Sequence, residues 1–279
     1  MSKFNSRSSV FQIADDQETY VAQALDGAVY TNESTGAQND TVNDMTLLPA
    51  TPAENDAYYF GSATPFGGIW LKTYQQGVGT WTITWEYYNG STWATLTVSD
   101  ETVGFTSAAG YALVTFAAPS DWATVAVNSI TKYWVRARVS AYTSVTTQPK
   151  GTQAWLIRDM TEFITEASGL PGEVEKLDTT TIGDAGRERS PGIENGAIRL
   201  SGFFDDTATR GPDAVFAALL THTTQVYFDY GPAGKTTTKI KYEGYAWVNR
   251  YEITSRIGEM VGWVAELLVH GQVTRTTYT

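Results

Sequence analysis

The run Trp81-Thr-Ile-Thr-Trp85-Glu-Tyr-Tyr88-Asn-Gly90-Ser-Thr-Trp93 constrains this chain more than any other stretch. Bulky residues alternate with Thr at a period of two and break at Asn89-Gly90, a pair suited to the positive φ angles of a type I′ turn. The reading is a β-hairpin that must bury an aromatic face. Similar strands are expected at Ala112 to Ala117 and at Tyr133 to Ser140, where Trp134, Arg136 and Arg138 alternate with Tyr133, Val135, Ala137 and Val139. Asp44 to Pro52 and Pro119 to Trp122 read as loops. With Trp70, Trp81, Trp85, Trp93, Trp122 and Trp134, residues 21–152 hold most of the chain's 9 tryptophans. Short strands between turn signals, with no convincing helical periodicity, predict an antiparallel β-sandwich of Ig-like or jelly-roll-like type.

At 279 residues the chain has room for one large all-β domain or two ordinary ones. It has no cysteine, which excludes disulfides, Cys-ligated zinc and thiol nucleophiles and fits either folding in a reducing cytoplasm or a fold that needs no covalent staple. No apolar run approaches the roughly 18 residues that span a bilayer, so no membrane partner is expected. The polar, Ser-rich start lacks the apolar core of a secretory signal. The net charge of −11 is spread along the chain. Tight DNA binding needs Lys and Arg to neutralise phosphates, so such a surface is expected to repel nucleic acid.

The texture changes beyond a Thr- and Ser-containing connection at Ala141 to Gln153. Leu156 to Ile164 and Glu173 to Ile182 read as extended. Gly183 to Asn195, with Gly186, Pro191 and Gly192, reads as a long loop. Ala197 to Phe204 is a strand with Ile198, Leu200 and Phe204 on one face. The one helix is expected from Pro212 to about His222, with Pro at its first position and an apolar stripe at Val215, Phe216, Leu219 and Leu220. Strands follow at Thr224 to Tyr230, at Thr237 to Ile253 with a bend at Gly244, and at Glu259 to Val269. Gly231-Pro-Ala-Gly234 turns between the first two. The last strand is apolar on both faces, which asks for cover on both sides and hints at subunit contacts.

Catalytic chemistry finds little to stand on. His222 and His270 are the only histidines, and neither lies within motif distance of an acidic pair or a Ser nucleophile. The pairs Asp15-Asp16, Asp100-Glu101 and Asp205-Asp206 read as solvated caps on turns. No catalytic residue, metal ligand or cofactor is expected, and the chain reads as no enzyme. Trp85, Trp93 and Trp134 are expected in a core. Trp70, Trp81 and Trp122 lie near turns and are the candidate ligand-facing aromatics. Arg187-Glu188-Arg189 reads as a source of ion pairs between subunits.

The runs Glu166-Ala-Ser-Gly-Leu-Pro171-Gly-Glu-Val-Glu-Lys-Leu-Asp178-Thr-Thr-Thr-Ile-Gly-Asp184 and Ser190-Pro-Gly-Ile-Glu-Asn-Gly196-Ala-Ile-Arg-Leu-Ser201-Gly-Phe-Phe-Asp resemble the major tail tube proteins of long-tailed (siphovirus-like) bacteriophages. Phe228-Asp-Tyr-Gly231-Pro-Ala-Gly234 and Val264-Ala-Glu-Leu-Leu-Val-His-Gly-Gln-Val-Thr274-Arg are similar too, in the family's order of elements. Ser8 to Thr19 looks like the first strand and turn of the same fold. The resemblance implies a mainly β chain: a tail-tube-type β-sandwich or barrel with one flanking α-helix at 1–20 and 153–279, interrupted by a Trp-rich decoration sandwich at 21–152. The alternative is a simple tandem whose first domain begins at Met1.

It further implies a virion protein assembled in the host bacterial cytoplasm into rings, commonly hexamers, that stack into a tail tube for DNA ejection. Its partners would be copies of itself, the tape-measure protein, the tail terminator and distal tail proteins, and phage DNA passing through the lumen without specific binding. The intersubunit loop would involve Ile182, Asp184, Arg187, Glu188, Arg189, Pro191 and Glu194. Glu173, Glu175 and Asp178 are candidate lumen carboxylates. The rival expectation is a carbohydrate-binding or adhesin-type virion surface protein anchored to the tail through its C-terminal part.

Overall fold

The computed structural model describes residues 9–14, 20–182, 185–206, 211–222, 225–236 and 238–278, and for 173–175 and 191–195 the backbone alone. The protein is mainly β, with antiparallel sheets throughout. Its contacts divide it into two compact units, Ala14–Arg158 and a second made of Met1–Ile13 with Asp159–Thr279. The first strand, β1 (Val10–Ala14), contributes to the second unit.

In the unit Ala14–Arg158, β2 (Tyr20–Asp26), β3 (Val29–Asn32), β5 (Ala57–Ser62), β7 (Val78–Tyr88), β8 (Trp93–Thr95) and β12 (Ile130–Thr147) form one sheet in the order β3-β2-β5-β12-β7-β8, with β11 (Thr124–Val127) paired to β12. The other sheet runs β13-β6-β10-β9 (Lys150–Asp159, Gly68–Gln75, Gly110–Thr115, Ser99–Asp100), with β4 (Met45–Thr46) on β13. Alternate residues of both sheets meet in one core: Ala22, Tyr58, Phe60, Trp85, Val135 and Ala137 from the first, and Ile69, Leu71, Val114 and Leu156 from the second. Period-two burial of β-branched and aromatic residues is the force that holds such a sandwich together.

The hairpin expected at Trp81–Trp93 is present, with Tyr88 opposite Trp93. Its loop is not a type I′ turn. Only Gly90 takes a positive φ, of 93°. The Asn89 carboxamide oxygen instead accepts from the backbone N–H groups of Ser91 and Thr92, at 3.1 and 2.9 Å. An Asx turn competes successfully because the Asn side chain supplies its own acceptor. A short helix, α1 (Ser34–Gln38), has no counterpart in the sequence reading, since five residues are too few to show a helical period.

In the second unit the sheet order is β14-β17-β20-β19-β18-β1, built from β14 (Glu166–Ser168), β17 (Ala197–Phe203), β18 (Val226–Gly231), β19 (Ile240–Thr254) and β20 (Gly262–Thr277). The segment read as a long loop contains a strand. β15 (Glu173–Asp178) pairs with β16 (Arg189–Asn195) as a two-stranded ribbon, with Pro191 opposite Lys176. Proline is tolerated there because both strands of a ribbon are edges and one N–H can be spared. The bend expected at Gly244 is a register irregularity between Glu243 and Tyr245.

The expected helix is present over 212–219, but its middle, Asp213–Ala217, is a π-type turn. Val215, Phe216 and Leu219 are buried. Phe216 stacks on Trp263 at 5.1 Å and on Tyr251 at 6.1 Å, so the helix covers one face of β19 and β20. Leu220, placed on the buried stripe by the sequence pattern, is 42% exposed, because the helix ends before its turn reaches the sheet.

Candidate assembly surface

The turn that joins β19 to β20 is the most conspicuous surface of the second unit. Glu259 donates its N–H to the Arg256 carbonyl at 3.1 Å, and Gly258 lies at φ 86°. A positive φ at the third position is what a type II turn demands of glycine. The second position, Ile257, is fully exposed, and Met260 is 70% exposed. Ile253, Val261 and Phe203, which is paired with Gly262, stand partly in solvent beside them. Turn tips favour Gly, Pro, Asn, Asp and Ser, so the turn has no conformational use for isoleucine. Clustered apolar side chains in water signal a contact surface.

The ribbon shows the same tension. Ile182 is fully exposed and Leu177 is 48% exposed. Between them, Thr179 donates its N–H to the Glu188 carbonyl at 3.0 Å, and Glu188 donates its own N–H to the Thr180 hydroxyl at 2.9 Å. Arg187, Glu188 and Arg189 are exposed. Pro191 and Glu194 lie on β16, while Glu173 and Glu175 lie on β15, described by backbone alone; Asp184 falls outside the described residues. Asp178 is exposed, and its carboxylate accepts from the Thr180 N–H at 3.0 Å. Hydrogen bonds from the Thr180 side chain and backbone hold it below the usual carboxylate range, so it stays charged.

At the opposite end of the β19–β20 hairpin from its turn lies a buried polar cluster. Asp229 is 1% exposed and accepts from the Tyr278 hydroxyl at 2.6 Å. Tyr227 donates to Glu243 at 2.6 Å, and Lys241 pairs with the same carboxylate at 2.6 Å. Lys235 donates to Gln12 of β1 at 2.6 Å. Burial pushes Asp229 up, with Lys235 and the Tyr278 hydrogen bond opposing it, and burial pushes Lys235 down. These groups tie β1, β18, β19 and the end of β20 together, a feature that sequence spacing could not reveal because the partners are far apart in the chain.

The candidate ligand-facing aromatics of 21–152 are corrected by burial. Trp70 is 1% exposed and packs on Trp155 at 4.5 Å; Trp122 is 7% exposed, against Phe66 at 5.0 Å. Trp81 is partly buried against the core, with its indole N–H donated to the Gly104 carbonyl at 2.8 Å. Proximity to turns misled because Trp70 lies within β6, between Tyr111 and Trp155 of the flanking strands, and Trp122 packs among Phe66, Phe116 and Tyr133. Trp93 is instead part of an outer-face group, where the Arg136 guanidinium lies 4.1 Å above its ring.

Of the acidic pairs, Asp100-Glu101 serves the fold. Asp100 accepts from the Thr102 and Gly104 N–H groups and from the Trp85 indole, and Glu101 accepts from the Leu113 N–H. Asp15-Asp16 fall outside the described residues. Among the described residues no three His, Asp or Glu side chains gather as a metal site. His222 follows the helix and is half-buried, and His270 is exposed on β20.

No family model and no curated protein matches the chain. Among solved structures, 8 chains match. One belongs to the virion of a native gene transfer agent particle: 14% identity, TM-score 0.34, covering 41% of this chain and 85% of that one. Another belongs to the tail of an empty gene transfer agent particle with C6 symmetry: 13% identity, TM-score 0.33, covering 41% of this chain and 83% of that one.

Proposed function

We propose that the chain is a structural virion protein that acts by self-assembly and not by catalysis. Copies join through the second unit into rings, hexameric as in the tail tube proteins its sequence resembles, and the rings stack into a tube. The observation that carries this reading is the display of Ile257, Met260 and Ile182 to solvent on two β projections of one unit. A folded domain gains nothing from such exposure, whereas a subunit buries it on assembly.

The net charge of −11 suits a conduit, because each cationic phosphate contact would slow passing DNA. In this reading Asp178 is a lumen carboxylate and the unit Ala14–Arg158 is an outward decoration. Tape-measure, terminator and distal tail proteins are the further partners. The adhesin reading loses its support with the burial of Trp70 and Trp122. Negative-stain microscopy of the purified protein tests the proposal. Stacked rings or tubes are the expected result; monomers that persist at high concentration and bind glycan arrays would sink it.

A further inference from the structure

Within the second unit, Ser9, Val10, Phe11, Thr161, Ile164, Thr165, Glu166, Ala167 and Tyr230 surround an open groove of about 340 Å³. Its apolar lining comes from Val10, Phe11, Ile164 and Ala167. Its polar lining is hydroxyls and one carboxylate, Glu166, with no cation among the lining residues. The volume is that of a small-ligand site and holds a pair of aliphatic side chains.

The β19–β20 tip is the matching shape. Ile257 at its apex and Met260 beside it are apolar and exposed, and Arg256 brings a cation. The tip does not fill its own copy's groove, since Ile257 is fully exposed. We infer that the β19–β20 tip of one copy docks in the Ser9–Phe11 and Ile164–Ala167 groove of the next, with Arg256 beside Glu166. The occupant is a second copy because every copy presents both the tip, with its exposed cation Arg256, and a groove whose carboxylate Glu166 has no cation in the lining. Such a pair makes a head-to-tail contact, the kind that closes into a ring or runs on as a filament. The inference rests on the assembly reading above and names the contact that drives it.

The chain's lack of cysteine makes the test clean. Met260→Cys and Thr165→Cys are placed on separate, differently tagged copies, mixed and oxidised. A disulfide between the two tags is expected. Dimers formed by Met260→Cys alone would mean tip-to-tip packing and overturn the inference. So would capture of Thr165→Cys by a Leu177→Cys copy in preference to Met260→Cys, which would put the ribbon in the groove.

The double variant Ile257→Asp, Met260→Asp changes only exposed side chains and should keep the wild-type circular dichroism and melting temperature while losing assembly. If wild-type and variant both assemble, the docking inference fails and the assembly reading stands. If the wild-type protein never assembles, the assembly reading itself fails.

Discussion

The hydroxyl of Tyr278 donates to the buried carboxylate of Asp229 at 2.6 Å, fastening the end of β20 over β18. The Tyr278 ring lies where a side chain at Gly231 would have to go, its atoms 2.8 Å from that Cβ position. Its own N–H and carbonyl are held by Lys239 and Thr238.

Tyr278→Phe keeps the ring and removes the donor, so Asp229 loses the hydrogen bond that favours its charged form. The expected cost at neutral pH is about 1–3 kcal/mol, that of a buried acceptor left unpaired. Burial raises the Asp229 pKa in the folded state. The charged carboxylate therefore weakens the fold above that raised value, and the penalty is relieved as pH falls through it toward the ordinary value of 3.8. Urea melts of both proteins across this window should show the Tyr278→Phe defect shrinking as the carboxyl protonates. A defect that does not change with pH would refute the account.

Glu86 is 8% exposed at its side chain and holds Arg136 at 2.7 Å and Arg138 at 2.8 Å. Glu86→Ala strands two arginines against the sheet. The expected loss is about 2–3 kcal/mol, below the range for fully buried pairs because both guanidinium groups keep some water contact. Arg136→Ala should cost less, since Arg138 then keeps the carboxylate paired. Denaturation midpoints for the two variants check the order.

A Cβ at Gly202 would lie 1.8 Å from the Phe163 carbonyl oxygen. Gly202→Ala must therefore push β17 away from the residues preceding β14, at a cost of about 1–3 kcal/mol or more. Gly186→Ala, with nothing within 4 Å of its Cβ, serves as the control and should leave the melting temperature within a degree or two of wild type.

Trp70 and Trp122 are core residues, so Trp70→Ala should destabilise the unit Ala14–Arg158 by about 3–5 kcal/mol. Acrylamide should barely quench either indole in the folded protein. Strong quenching of variants that retain only Trp70 or only Trp122 would show that the surface is open and would restore the case for a ligand there.

The class of fold was legible in the sequence. Alternation of period two records which side of a strand faces a core, and at Ala197–Phe203 it marks Ile198 and Leu200 as buried, as they are. The Gly244 irregularity and the Gly231–Gly234 turn were legible for the same local reason: glycine permits what other residues resist. The ribbon strand β16 was not, because Gly and Pro are loop signals by composition and a strand that has only edges tolerates them. The π-type turn was hidden because its sequence reads like any amphipathic helix.

What the tertiary structure alone decided is which apolar residues remain outside. A period assigns a residue to a face, but whether another layer covers that face depends on residues elsewhere in the chain. Trp70 and Trp122 are covered, and Ile257 and Met260 are not. The sequence by itself determined strands, turns and an acidic surface. Which hairpin tip stands bare in water, and which groove stands open on the same unit, follow from long-range packing that no local pattern encodes.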